Sequence, residues 1–149
     1  MSMLTRLLSD RAGAMTIETA LVAPILLTLS LGGVEAGSMV ARQSELQSAA
    51  AEALYIVQAA PPENQGDFDD IRDVLVASTG LDADNVAVEE IWRCGTTTNF
   101  ERTQASNCGS SAVSSYIQIS LEETYQPSWT EFGIGGPLTF NVVRQVQIG

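Results

Sequence analysis

The stretch Thr19-Ala-Leu-Val-Ala-Pro-Ile-Leu-Leu-Thr-Leu-Ser-Leu-Gly-Gly-Val34 carries no charged side chain, and its apolar character reaches back to Ala14 and on to Ala41, interrupted by Glu18 and Glu35. About 20 helical residues, at roughly 1.5 Å of rise each, cross the hydrocarbon core of a bilayer. Residues 14–41 therefore read as a transmembrane helix. Arg6 and Arg11 sit on a short leader, residues 1–13, and the longer acidic part of the chain follows the span. Positive charge is retained on the cytoplasmic side, which puts the N-terminus there and the C-terminal domain outside. A secretory signal peptide is the rival reading, with Ala36, Ser38 and Ala41 as small residues at a cleavage site. Such a signal has an apolar region of about 7 to 15 residues. The run here is longer and continues as helix, and Glu35 stands beside the site, so a retained anchor is the expectation.

Two features mark the start of the span. Gly13 separates the leader from the apolar run, and Glu18 follows within it. A carboxylate in an apolar membrane segment is costly unless a cation offsets it. Cutting the chain after Gly13 would create that cation, the α-amino group of Ala14, one helical turn from Glu18. A duller reading also stands: Glu18 lies near the interface, is favoured by the positive helix N-terminus and snorkels toward the headgroups. Further along, Gly33 and Gly37 form a small-xxx-small pair that Ala41 extends, a pattern that lets two helix backbones approach in lipid. Glycine and alanine are also simply common in such helices. Pro24 removes a backbone donor and frees the Ala20 carbonyl, which predicts local loosening that Thr19, Thr28 and Ser30 can partly satisfy.

Beyond Arg42 the helical period continues. Leu46, Ala50, Ala53, Leu54 and Val57 recur at three and four residues, with Gln43, Glu45, Gln47 and Glu52 on other faces. Residues 42–60 thus predict an amphipathic stalk that Pro61 and Pro62 end. In residues 61–149, Asp67 is a candidate N-cap for a short helix with Phe68, Ile71, Val74 and Leu75 on one face and Gly80 as the stop. The polar Ser78 ends the stripe after about two turns. Three strand candidates follow. Val86 to Trp92 alternates imperfectly; Val113, Ile117, Ile119, Leu121 and Tyr125 keep one parity; Leu138, Phe140, Val142, Val146 and Ile148 keep another. Gly133, Gly135, Gly136 and Pro137 supply the turn before the last strand. The expected fold is α+β, a long N-terminal helix packed on a small antiparallel sheet with one short extra helix.

Composition narrows the function. A chain of 149 residues with 45% hydrophobic content has room for one span and one modest domain. Its seven basic residues are all arginine against 18 acids, a formal net charge of -11, which argues against a nucleic-acid partner. With no histidine, the commonest general base and the commonest transition-metal ligand are both missing. No Gly-x-Ser-x-Gly elbow and no phosphate-cradling glycine loop appear, so no enzyme, cofactor or small-molecule substrate is expected. Asp67, Asp69, Asp70 and Asp73 do not have the spacing of an EF-hand loop, nor does Asp82-x-Asp84, and acids gather at helix N-termini for dipole reasons; no metal is expected. Cys94 and Cys108 flank a polar loop with little apolar surface to hold it. In an oxidising compartment a disulfide would close it, contributing about 3 kcal/mol for some 15 residues. Two buried free thiols are the alternative. Without a Cys-x-x-Cys there is no basis for redox catalysis.

The segment Arg11-Ala-Gly-Ala-Met-Thr-Ile-Glu-Thr-Ala-Leu-Val-Ala-Pro-Ile-Leu-Leu27, followed by Gly33-Val-Glu-Ala-Gly37, resembles the N-terminal region of TadE-like proteins, minor pseudopilins of the tight-adherence (Tad) pilus machinery and relatives of type IV pilins. Gly13, Glu18, Pro24, Glu35 and Gly37 carry the likeness, which is strongest over residues 11–60. A weaker echo is Tyr125-Gln-Pro before the glycine-rich turn. Thr19 departs from the pattern, which often has a tyrosine after the glutamate. The resemblance implies cleavage between Gly13 and Ala14 by a prepilin peptidase of the bacterial inner membrane, and a role in pilus assembly. Its implied partners are membrane lipid and other pilins or pseudopilins, among them a TadF-like protein and the major pilin. The competing expectation is a single-pass, membrane-anchored periplasmic binding or adhesion module whose Cys-closed loop contacts a ligand.

Overall fold

The computed structural model describes residues 11–104, 108–133 and 135–149. Most of the expected leader, Arg6 included, and residues 105–107 of the Cys-flanked loop lie outside the described residues. The chain divides into two compact units, Met1–Met39 and Val40–Gly149. Helix α1 covers Arg11–Ala59 with Pro24 inside it. Helix α2 covers Gln65–Thr79. Strands β1 (Val86–Cys94), β2 (Val113–Tyr125) and β3 (Leu138–Gln147) follow, with short 3-10 turns at Ala83–Asn85 and Ser128–Phe132. The architecture is the expected α+β arrangement.

In the second unit the apolar stripe of α1 is the floor of the core. Leu46, Ala50 and Val57 are fully buried and Ala53 nearly so, while Leu54 packs at the margin. The sheet is antiparallel in the order β1-β2-β3. Its registers run unbroken, from Val86 opposite Leu121 to Cys94 opposite Val113, and from Tyr116 opposite Gln147 to Tyr125 opposite Leu138. Period-two alternation puts Ile117, Ile119 and Leu121 of the central strand on one face, where all three are fully buried with Val86 and Val142. The imperfect alternation of β1 has a physical cause: Ile91 is of the other parity and is also buried, beside Tyr116 on the opposite face of the sheet. Both faces of β1 are covered at that point.

Helix α2 departs from expectation in two details. Its N-cap is Asn64, not Asp67: the Asn64 side chain accepts from the N–H groups of Gly66 and Asp67, and Asp67 is the reciprocal member of a capping box. Val74 does not join the buried face formed by Ile71 and Leu75; it is 54% exposed, because a step of three from Ile71 falls at the stripe's edge. The stop is as expected, with Gly80 at φ 70° donating its N–H to the Val76 carbonyl. Thr79, buried in the last turn, is satisfied locally: its hydroxyl donates to the Leu75 carbonyl and accepts from the Leu81 N–H.

Candidate functional site

The first unit is a helix whose apolar side chains are largely exposed among the described residues. Met15, Ile17, Leu21, Ile25, Leu27, Leu29, Leu31 and Val34 are each 60% exposed or more, and they point in all directions around the axis. A helix that is apolar all round is stable where its surroundings are apolar too. From Met15 onward α1 is long and apolar enough to cross a membrane. Its hydroxyls fit that setting: Thr19, Thr28, Ser30 and Ser38 each donate to the carbonyl four residues back, at 2.8 to 3.1 Å. These bonds satisfy the polar side chains without water. They also correct one expectation, because the acceptors are Met15, Pro24, Leu26 and Val34, and none of the bonds goes to Ala20.

Gly13 and Ala14 lie on the first turns of α1. Glu18 is exposed and borders a shallow hollow with Thr19, Val22, Ala23 and Leu26. Among the described residues, no ion pair reaches it. At Gly32, Gly33 and Gly37 an added methyl group would meet nothing within 4 Å. Packing among the described residues therefore does not require glycine at these positions.

Two constellations in the second unit matter beyond the helix; the sequence did not single out the first, and of the second it singled out the two cysteines and not the ring contacts around them. The first is Arg42, on α1. Its Nε donates to Glu123 of β2 at 2.7 Å, one terminal nitrogen to Glu45 at 2.8 Å, and the other to the Thr79 carbonyl at 2.8 Å. One side chain thus ties α1 to the last turn of α2 and to the central strand. The bond it donates to Glu123, partly opposed by burial and supported by Glu45, holds the guanidinium above its ordinary pKa. The sequence signal was only the position of a cation just past the apolar run.

The second constellation is the loop after β1. Cys94 and Cys108 are joined in a disulfide, with Cα atoms 5.4 Å apart. Glu101 pairs with Trp92 through two backbone hydrogen bonds of 2.8 and 2.9 Å. Phe100 packs edge-on against Tyr116 at 5.2 Å, and the Arg93 guanidinium stacks on both rings while donating to the Tyr116 hydroxyl at 2.6 Å. The loop is less bare of apolar anchorage than its polar composition suggests, since Phe100 alone supplies a packed contact. No cluster of metal-ligating side chains occurs among the described residues.

A long apolar N-terminal helix that could span a membrane is followed by a small helix-and-sheet unit, an α+β arrangement. Residues 13–54 match the family model of TadE-like protein, a match consistent with a TadE-like protein and with Tad pilus-related function. The matched window begins at Gly13 and contains Glu18, Pro24, Glu35 and Gly37; it does not reach Tyr125-Gln-Pro. No curated protein and no solved structure matches the chain.

Proposed function

We propose that this chain is a minor pseudopilin that takes part in assembly of a Tad-type pilus at the bacterial inner membrane. A prepilin peptidase cuts between Gly13 and Ala14, residues 14–41 hold the subunit in the bilayer, and the domain after it faces the periplasm. The new α-amino group of Ala14 and the Glu18 carboxylate then neutralise one another, within one subunit or between neighbours. Gly33 and Gly37 give a neighbouring pilin helix close approach. The role is structural rather than catalytic.

The observation that carries this reading is the coincidence of three things in one window: the TadE-like match over residues 13–54, the lipid-compatible surface of the helix, and a carboxylate within it at Glu18. An isolated acid in hydrocarbon is unfavourable by several kcal/mol, about 2.5–3.5 on insertion scales, so a pairing role accounts for its position. The test is replacement in a piliated strain. Glu18→Ala leaves membrane insertion intact, since the segment becomes more apolar, and lowers pilus number by electron microscopy. Unchanged piliation with that variant would sink the pairing role.

A further inference from the structure

The two edges of the sheet are unlike. Edge strands expose unpaired backbone groups and are ordinarily guarded by charge, proline, bulges or a covering segment. The β1 edge has such guards: Glu101 bonds the Trp92 backbone from outside, Arg102 pairs with Glu89 at 3.1 Å, Glu90 adds a further charge, and α2 lies against the strand. The β3 edge is less guarded: Leu138–Gln147 holds no proline and no bulge in its register with β2. Although the chain carries 18 acids, β3 carries none, and Arg144 is its single charge. Leu138 and Val143 are 42% and 46% exposed.

We propose that β3 is a pairing edge that joins antiparallel to β3 of a second copy of this chain, about a two-fold axis at Val143. The hydrogen-bonding parity sets the register. Ile148 donates its N–H to Ser115 of β2, so the even-numbered residues of β3 bond β2, and Thr139, Asn141, Val143, Gln145 and Gln147 turn their backbone groups to the open edge. Two copies paired at Val143 then set Asn141 opposite Gln145 and Thr139 opposite Gln147 on one face, and Phe140 opposite Val146, Leu138 opposite Ile148 and Val142 opposite Arg144 on the other. Pro137, which has no N–H, falls opposite Gly149, beyond the strand.

The chemistry of most of these pairs favours a second copy. Amide already meets amide within the sheet, where Gln145 donates to the Gln118 side chain at 2.7 Å, and the Asn141–Gln145 pair repeats that contact across the axis. Phe140 meets Val146 and Leu138 meets Ile148, while Arg144 lies across from Val142 rather than from a like charge, so no like charges stand directly opposite. In a strongly acidic, self-repelling chain, an acid-free strand is where two copies meet without carboxylate facing carboxylate. The product is a six-stranded sheet with guarded β1 edges on both sides, which stops the association at two.

The full-length protein in detergent micelles tests this by multi-angle light scattering, alone and as charge variants. The wild type is a dimer. Val143→Lys and Val143→Glu, at an exposed position, each weaken dimerisation about tenfold or more by placing like charges face to face, and an equimolar mixture of the two restores it. Amide exchange of the wild type shows Thr139, Asn141, Val143, Gln145 and Gln147 protected. A wild type that stays monomeric, charge variants that dimerise as the wild type does, a mixture no better than either variant, or rapid exchange at those five amides would each overturn the proposal.

Discussion

Arg42 bonds three elements through one side chain, and its contacts with Glu123 and the Thr79 carbonyl are partly buried. Replacing it leaves a carboxylate and a carbonyl without their donor, and hydrogen bonds to charged groups contribute about 1.5–3 kcal/mol each. Arg42→Met should therefore lower the unfolding free energy of the second unit by roughly that amount, and Arg42→Lys should recover part of it, because an ammonium reaches one partner rather than three. Urea titration of the two variants checks the order; equal stability of wild type and Arg42→Met would contradict the clamp. Asp67 makes a pH-dependent contribution at the same scale. Its carboxylate accepts from the backbone N–H of Glu63 at 2.8 Å, then from the backbone and side chain of Asn64 at 3.2 and 2.9 Å, and these bonds hold its pKa below the ordinary aspartate range. A lowered folded pKa means the contribution is complete above the unfolded value of about 3.9 and is lost as pH falls through the lower folded value. Asp67→Asn should flatten that part of the acid-side decline in stability, read by circular dichroism between neutral pH and strong acid. The capping box was half legible in the sequence: Asp67 drew attention as an acid before an apolar stripe, but in a run that also offers Asn64, composition does not tell the cap from its reciprocal partner.

At the scale of elements, legibility follows the strength of the periodic signal. Leu46, Ala50, Ala53 and Val57 repeat over several turns, and the α1 core face follows from them. The same rule placed Ile117, Ile119 and Leu121 together. Where an element is covered on both faces, the pattern breaks down: Ile91 is buried beside Tyr116 on the face away from the main core, a tertiary placement that alternation within β1 does not encode. Phe100 was hidden for a related reason, as a single aromatic in a polar loop acquires a partner only when Tyr116 of β2 arrives beside it. The disulfide fixes that return. Its loop closure contributes about 3 kcal/mol by the chain-entropy model, so replacing Cys94 and Cys108 together with serine should lower stability by about that amount and expose Phe100 and Tyr116. Denaturant unfolding and tyrosine fluorescence of the variant check both; an unchanged midpoint would show that Arg93 and the two rings hold the loop without the covalent link.

For the whole molecule, the apolar helix and the folded unit answer to different environments. The second unit forms a core from its own residues, whereas the first unit, among the described residues, presents exposed apolar side chains on every side and glycines with no neighbour within 4 Å. Under the proposed function lipid and other subunits finish that segment, and it is where a single sequence says least, since a packing partner outside the chain leaves no periodic mark inside it. Gly13 and Glu18 were legible as spacing, and the TadE-like match covers both. Their joint use as a processing and pairing device is the central claim. It is tested most directly by mass spectrometry of the mature protein isolated from membranes. The account predicts loss of residues 1–13 and a new N-terminus at Ala14; an intact leader, or a chain beginning near Ala41, would contradict it.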